Sequence, residues 1–278
     1  LSFPERSRGA REGGELHLQV LRSSSAGNCT ALWNEKHGLL IDAGVTKSLL
    51  QDFLSETGMP VSAVLVTHGH SDHLSNAAFR LLHGRGVPFY FGSRGVIAYY
   101  RRILPSFTGE GPLLHSFEGR RFQVADFSIV PFEVTHDSEG GCFGFRLECG
   151  GARVVAFATD FVHVPDGLLP FFTGADAIVL ESNHDPDLLE RSGRPYHVKE
   201  RIRKRAHLSN AKSTDFLSRI LRQPGARPRH VFLAHISEEC NNRKLTLETA
   251  QQALEGLSGP LPDLWLTWRD RPAVRVTV

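Results

Sequence analysis

One hexapeptide limits this chain more than anything else in it: His68-Gly69-His70-Ser71-Asp72-His73. It follows Ala63–Thr67, a short apolar run that reads as a buried strand, so three imidazoles and a carboxylate stand on a loop at the carboxyl end of a sheet. Layered α/β folds place their ligands there. Imidazoles two residues apart on a turn can converge on one cation, while Asp72 and His73 project toward a second position. Nitrogen and carboxylate donors suit zinc, manganese or iron, and the lack of cysteine argues against a closed structural zinc site. The bland alternative is a solvated His-rich turn. It does not account for so dense a donor set directly after an apolar strand.

Three later residues share that context. His136 follows Ile129–Thr135, Asp160 follows Val154–Thr159, and His235 follows Val231–Ala234. A lone histidine at a strand end is more often a satisfied core or loop residue than a ligand. Recurrence at successive strand ends, after a motif that already needs partners, reverses that expectation. His17, His37, His83, His115, His163, His197 and His230 show no such context and read as surface or core residues.

The rest of the pattern predicts a fold. Short β-runs at Leu16–Leu21, Thr30–Asn34 and Leu39–Asp42 precede a helix from Thr46 to Thr57, closed by Gly58 and Pro60. Helical signals resume at Leu74–His83 and Gly95–Leu104 around a strand at Pro88–Phe91. Strands are expected at Arg121–Val124, Ser128–Val134 and Cys142–Cys149, then a Gly150-Gly151 hairpin and Arg153–Ala158. The last third reads as strands Ala177–Glu181 and His230–Ala234, helices Tyr196–Arg205, Ala211–Arg222 and Leu247–Leu257, and strands Leu264–Trp268 and Val274–Val278. Two similar halves, each β-rich and then helical, suggest two sheets face to face with helices outside. One domain over residues 15–278 is expected, after a disordered or adventitious tail at 1–14. That tail is charged and Gly-rich, unlike a secretory signal. No apolar run approaches the roughly 20 residues of a spanning helix. Cys29, Cys142, Cys149 and Cys240 show no CxxC spacing, so reduced thiols and a cytoplasmic location are expected.

Taken together, Asp42 after Leu39-Leu40-Ile41, the His68–His73 motif, His136, Asp160 and His235 resemble the ordered motifs of the metallo-β-lactamase superfamily. The resemblance spans Leu16 to the end and implies an αββα sandwich of two mixed β-sheets with helices outside and a hydrolytic site for two divalent metals, zinc or manganese. It implies that one metal takes His68, His70 and His136, the other Asp72, His73 and His235, with Asp160 bridging. Ser24-Ser25-Ala26-Gly27-Asn28, Glu181-Ser182-Asn183-His184-Asp185, Pro195-Tyr196, His207-Leu208-Ser209-Asn210 and Leu233-Ala234-His235-Ile236-Ser237 narrow this to the YycJ/WalJ-type branch. That branch implies a 5′ to 3′ exonuclease acting on double-stranded DNA. The chain departs from it at Ala206, where members usually carry Gly, at His197 in place of Trp, and at Phe161 in place of a small residue.

On this reading the metals lower the pKa of a bridging water from 15.7 toward about 7, and the resulting hydroxide attacks phosphorus. Asp72 orients it and His207 assists the leaving group. Opposing this, Ser209 or Asn210 could simply cap a helix, with His207 packing beside the cap. Substrate contacts are expected from Asn183, His184, Ser209 and Asn210, and from Arg194, Tyr196, Lys199 and Arg201 in a basic segment. From Arg191 to Arg205 that segment carries a local +6 within a chain of net +2. A solvated helix face is the usual meaning of such a run. Here it leads directly into His207, which favours phosphate contact. Two rivals remain: a small-molecule hydrolase of a cyclic phosphodiester, thioester or lactone, and a non-catalytic nucleic-acid or regulatory partner. The oligomeric state has no sequence signal.

Overall fold

The computed structural model describes residues 14–150, 153–225 and 227–278. Its first half runs β1 (His17–Ser24), β2 (Gly27–Trp33), β3 (Gly38–Ile41), α1 (Lys47–Thr57), β4 (Val61–Val66), β5 (His68–Gly69), α2 (Asn76–His83), β6 (Phe89–Phe91), α3 (Arg94–Ile103) and β7 (Leu114–Ser116). The second begins β8 (Phe122–Val124), β9 (Phe127–Val134), β10 (Glu139–Cys149), β11 (Arg153–Ala158), α4 (Leu169–Phe172) and β12 (Ala177–Glu181). It ends α5 (Pro186–Arg191), α6 (Tyr196–Arg201), α7 (Asn210–Leu221), β13 (His230–Ala234), α8 (Arg243–Leu254), β14 (Asp263–Leu266) and β15 (Val276–Thr277). The tail expected at 1–14 lies, apart from Gly14, outside the described residues, as does Gly151 of the expected hairpin.

Two mixed sheets form, with strand orders β15-β1-β2-β3-β4-β6-β7 and β14-β13-β12-β11-β10-β9-β8. Period-two alternation within the strands explains why they stack. Leu39, Ile41, Ala63 and Leu65 face Phe145, Phe157, Val179 and Phe232 in a core between the sheets. Their neighbours Leu40, Val64 and Val66 turn outward, under α1, α2 and α3. On the other sheet, Ala156, Ile178 and Leu180 lie under Phe172, Phe216 and Leu217 of α4 and α7. The result is the αββα sandwich expected.

Three differences from the sequence expectation bear on function. The helix expected from Leu247 begins at Arg243, because the Asn242 side chain accepts from the Leu245 amide at 2.8 Å and caps it four residues earlier. The helix expected over Tyr196–Arg205 stops being α-helical at Arg201 and ends in a π-turn over Ile202–Ala206. The strand expected to reach Trp268 stops at Leu266. Short elements at β5, β7, α4 and α5 have too few residues for a period to register.

β4 belongs to the first sheet and β5, after the single residue Thr67, pairs with β10 of the second. The hexapeptide therefore begins where the chain crosses between sheets. Parallel pairing of β3 with β4, of β11 with β12 and of β12 with β13 sends the strand ends carrying Asp42, Asp160, Glu181 and His235 to that same rim.

Candidate metal and phosphodiester site

Asp42, Asp160 and His235 each follow a buried strand with a left-handed backbone, at φ 59°, 60° and 55°. Asp and His tolerate this region better than β-branched residues, yet each still carries strain of about 1 kcal/mol or more. Three strained turns at successive strand ends aim polar side chains into one space. Gly27 and Gly44 close the approach from the other side. A Cβ on Gly44 would stand 1.7 Å from the Asp72 carbonyl, and one on Gly27 would stand 2.2 Å from the Gly44 carbonyl. Their backbones can thus pack directly, and the Asn28 amide N–H reaches the Asp72 carbonyl at 2.9 Å. Tyr100, fully buried, donates its hydroxyl to the carbonyls of His68 and His70 and pins the motif loop.

Nitrogen atoms of His68, His70 and His136 converge within 4.8 Å of one another. Hydrogen bonding fixes two of their tautomers. The Thr67 hydroxyl gives its single proton to the Asp42 carboxylate, so it accepts from His68 Nδ1 at 3.0 Å. His136 Nδ1 donates to the Ala206 carbonyl at 2.8 Å. The inward Nε2 atoms of both therefore present lone pairs. His70 Nδ1 stands 2.9 Å from the first and 3.3 Å from the second. Burial keeps the group neutral, pushing His68 and His136 below the ordinary imidazole value and His70 down to about 4, with neighbouring imidazoles adding to the push on His70. Two lone pairs, with His70 Nδ1 between them, face one point where a cation can be held by all three nitrogens.

The other side is anionic. Asp42 accepts from the Thr67 amide at 2.9 Å and from His73 Nδ1 at 2.7 Å, turning His73 Nε2 toward Asp72 (3.4 Å) and Asp160 (3.7 Å). Asn28 donates to Asp72 at 3.0 Å and lies 3.1 Å from His73 Nε2. Asp160 Oδ1 is 3.4 Å from His235 Nε2. Burial would raise the Asp160 carboxyl, but His235, His73 and His68 around it hold it well below the carboxylate range. Asp160 Oδ2 and His235 Nε2 are buried without a hydrogen-bond partner among the described residues. Orphaned groups of this kind call for an ion or a water, and the nitrogen and oxygen donor set fits a divalent metal.

The grouping differs from expectation in two respects. His68, His73 and Asp160 form one donor cluster, and Asp160, Glu181, His207 and His235 form another, so Asp160 is common to both. Asp72 falls in neither of these clusters but stays 3.4 Å from His73 Nε2 while accepting from Asn28. Glu181, quoted only as part of a motif, proves central. It is fully buried at the end of β12 and accepts from His207 Nδ1 at 2.7 Å and from the amides of Phe161 and Leu208. Its signal was present: a carboxylate directly after an apolar strand, the same context as Asp160. The π-turn sets the geometry of its partner. Its closing bond, His207 N–H to the Ile202 carbonyl at 3.0 Å, throws His207 into an extended conformation facing the site.

Two cavities meet here. One, of about 260 Å³, is lined by His70, Asp72, Tyr99, His136 and Asp160, and the other, of about 430 Å³, by Ser24, Asn183, Arg194, Glu239 and Arg269. Ser25, Arg201, His207 and His235 line both.

The expected substrate contacts fall in different places. Asn210 is buried with its amide used on Asn241 and its carbonyl on Ser182. Ser209 caps α7 by accepting from the Lys212 amide. His184 is buried, with Nδ1 unpartnered, and lines neither cavity. Asn183 does line the larger cavity and donates to the His235 carbonyl at 2.7 Å. Tyr196 is exposed, away from both cavities. The basic segment is also less naked than its count suggests. Arg194 pairs with Glu239, Arg201 with Asp137, Arg203 with Glu190 and Glu200, and Lys204 with Glu200, while Lys199 donates to the Glu190 carbonyl.

Comparison with known proteins agrees with this geometry. The family model described as a β-lactamase superfamily domain matches residues 37–236. The chain is 28% identical over 245 residues to the exodeoxyribonuclease YycJ of Bacillus anthracis, covering 86% of this chain and 89% of that protein. It is 29% identical over 236 residues to the exodeoxyribonuclease WalJ of Streptococcus pneumoniae serotype 2 (strain D39 / NCTC 7466), covering 81% and 83%. Among solved structures, the metallo-β-lactamase fold protein YhfI from Bacillus subtilis superposes with a TM-score of 0.69 at 13% identity, over 95% of this chain and all of that one.

Proposed function

Because the chain belongs to the β-lactamase superfamily, a fold that hosts several hydrolytic chemistries, we propose that this member is a two-metal phosphodiesterase that degrades duplex DNA from its ends. The observation that carries the reading is the pairing of His207 with buried Glu181 at 2.7 Å, at the junction of the two cavities and 3.6 Å from Asp160. The two similar exodeoxyribonucleases support DNA as the substrate, and 5′ to 3′ polarity rests on that likeness. Four free, buried cysteines support a reducing compartment, the cytoplasm. No helix among the described residues is long and apolar enough to cross a membrane.

His68, His70 and His136 would hold one metal, and His73, His235 and Asp72 the other, with Asp160 between them. Bound there, divalent ions supply Lewis acidity toward water and neutralise charge on the phosphate. The chain's own groups do the rest. Asp72, exposed to the smaller cavity and steadied by Asn28, orients the attacking water. Burial raises the Glu181 carboxyl, the facing His207 imidazole more than offsets this and holds it below its ordinary value, and the carboxylate fixes the His207 ring. Its Nδ1 is committed to Glu181, so Nε2 is left to carry a proton toward the cavity. As the phosphorus–oxygen bond breaks, that proton passes to the departing oxygen. A thioester, whose thiolate departs readily, has less need of this acid, so the His207–Glu181 pair supports phosphodiester chemistry, and DNA over a small cyclic phosphodiester rests on the likeness to the two exodeoxyribonucleases.

The test is a ratio. His207→Ala should retain metal and slow DNA cleavage by roughly 10²–10⁴-fold, the range for a positioned general acid. On a nitrophenyl phosphodiester, whose leaving group needs no proton, the loss should be much smaller. Equal losses on both substrates would assign His207 to phosphate binding, and no loss on either would make it a helix-start residue.

A further inference from the structure

Positive charge without a carboxylate partner is also found outside the basic segment, among the described residues. At the mouth of the larger cavity, Arg194 and Arg269 meet Glu239 and Glu238, each at 2.8 Å. The loop joining β14 to β15 is different. There Trp268 lies partly buried against the core between the sheets, and its carbonyl accepts from the Ser23 amide at 3.0 Å, beside the cavity residues Ser24 and Ser25. Two guanidinium groups stand against its indole, Arg271 at 3.7 Å and Arg243 at 4.3 Å from the ring centroid. Among the described residues neither forms an ion pair with a carboxylate. Arg243 commits only Nε, to the Thr267 carbonyl at 3.3 Å.

We propose that Arg243, Trp268 and Arg271 form a platform that binds the phosphodiester backbone of duplex DNA whose end occupies the catalytic groove. The proposal rests on the DNA reading above and adds the surface that carries the substrate beyond the site. A cation–π contact positions a guanidinium without neutralising it, so both keep their full charge and several N–H donors for phosphate oxygens. Stacking also restrains two long side chains in advance, lowering the entropy cost of binding. Arg243 opens α8, where the helix dipole adds partial positive charge. Continuity comes from Arg269, which lies between Trp268 and Arg271 in the chain and lines the larger cavity. Arg269 thus links the cavity shared by His207 and His235 to the platform along the chain.

The experiment is fluorescence anisotropy of the metal-loaded protein with a labelled duplex carrying phosphorothioate ends, from 50 to 200 mM salt. Arg243→Ala with Arg271→Ala should weaken binding at least tenfold at the lowest salt. It should also flatten the log–log salt slope by roughly 1.8, at about 0.9 for each phosphate no longer neutralised. Arg243→Lys with Arg271→Lys keeps the charge and should restore most of the slope. An unchanged slope in the double alanine variant overturns the platform and leaves the nuclease reading intact. So does a weakening that the lysine variant fails to rescue, since that would be packing around Trp268. A parent protein with no affinity for the duplex overturns both.

Discussion

The two halves of the donor cluster are built on opposite electrostatic plans. In the half made by His68, His70 and His136, the outer nitrogens lean on a hydroxyl and a backbone carbonyl, and burial holds the rings neutral. In the half made by Asp72, His73, Asp160 and His235, carboxylates stand both inside the cluster and behind it, with Asp42 on His73 at 2.7 Å and Glu181 at 3.5 Å from His235. The difference teaches how the site divides its work. A dication in the carboxylate half would find its charge compensated and be held tightly, and one in the nitrogen half would keep its charge for an incoming phosphate, at the cost of weaker retention.

Removing the residue common to both halves should have the largest effect. Asp160→Ala is expected to abolish hydrolysis and loosen both metals, as read by metal content after dialysis alongside activity. Retention of both ions at a near-normal rate would reduce Asp160 to a loop residue and dissolve the comparison. A smaller change should separate the halves. Asp42→Asn removes the charge behind His73 and is expected to weaken one metal by roughly 10–100-fold in calorimetric titration while weakening the other, reached only through Thr67 and His68, much less. Equal weakening of both would show that the halves share one electrostatic environment. The smallest effect should come from Arg201→Ala. Arg201 engages Asp137, whose carboxylate lies 3.9 Å from His136 Nε2. Freed of Arg201, Asp137 should raise metal affinity in the nitrogen half a few-fold, and the missing cation should flatten the salt slope of duplex binding by at most roughly 0.9.

How far the sequence could be read follows from the range of the interactions involved. The hexapeptide is local, and the strand-end positions of His136, Asp160 and His235 follow from apolar runs, so their convergence on one rim was legible. The αββα layering followed from the same alternation. The supports were not legible, because they act across the fold. Asn28 reaches Asp72, 44 positions further along the chain, and Asp42 reaches His73, 31 positions along. Charge counting along the chain misses partners for a related reason. Asp137, Glu190 and Glu239 pair with Arg201, Arg203 and Arg194 and lower the charge of the Arg191–Arg205 segment without cancelling it, while Arg243 and Arg271, distant in sequence, meet at Trp268. The π-turn before His207 has no periodicity of its own to detect.

The central claim is that this cluster hydrolyses duplex DNA from an end and needs its metals to do so. It is tested most directly by digesting one duplex labelled separately at its 5′ and 3′ termini, with manganese, magnesium or zinc added to chelator-treated protein. The account predicts no cleavage without metal, and with metal the early release of short products from the 5′ label while the 3′ label remains on long strands. Internal fragments from both labels, or equal cleavage after the metals are removed, would contradict it.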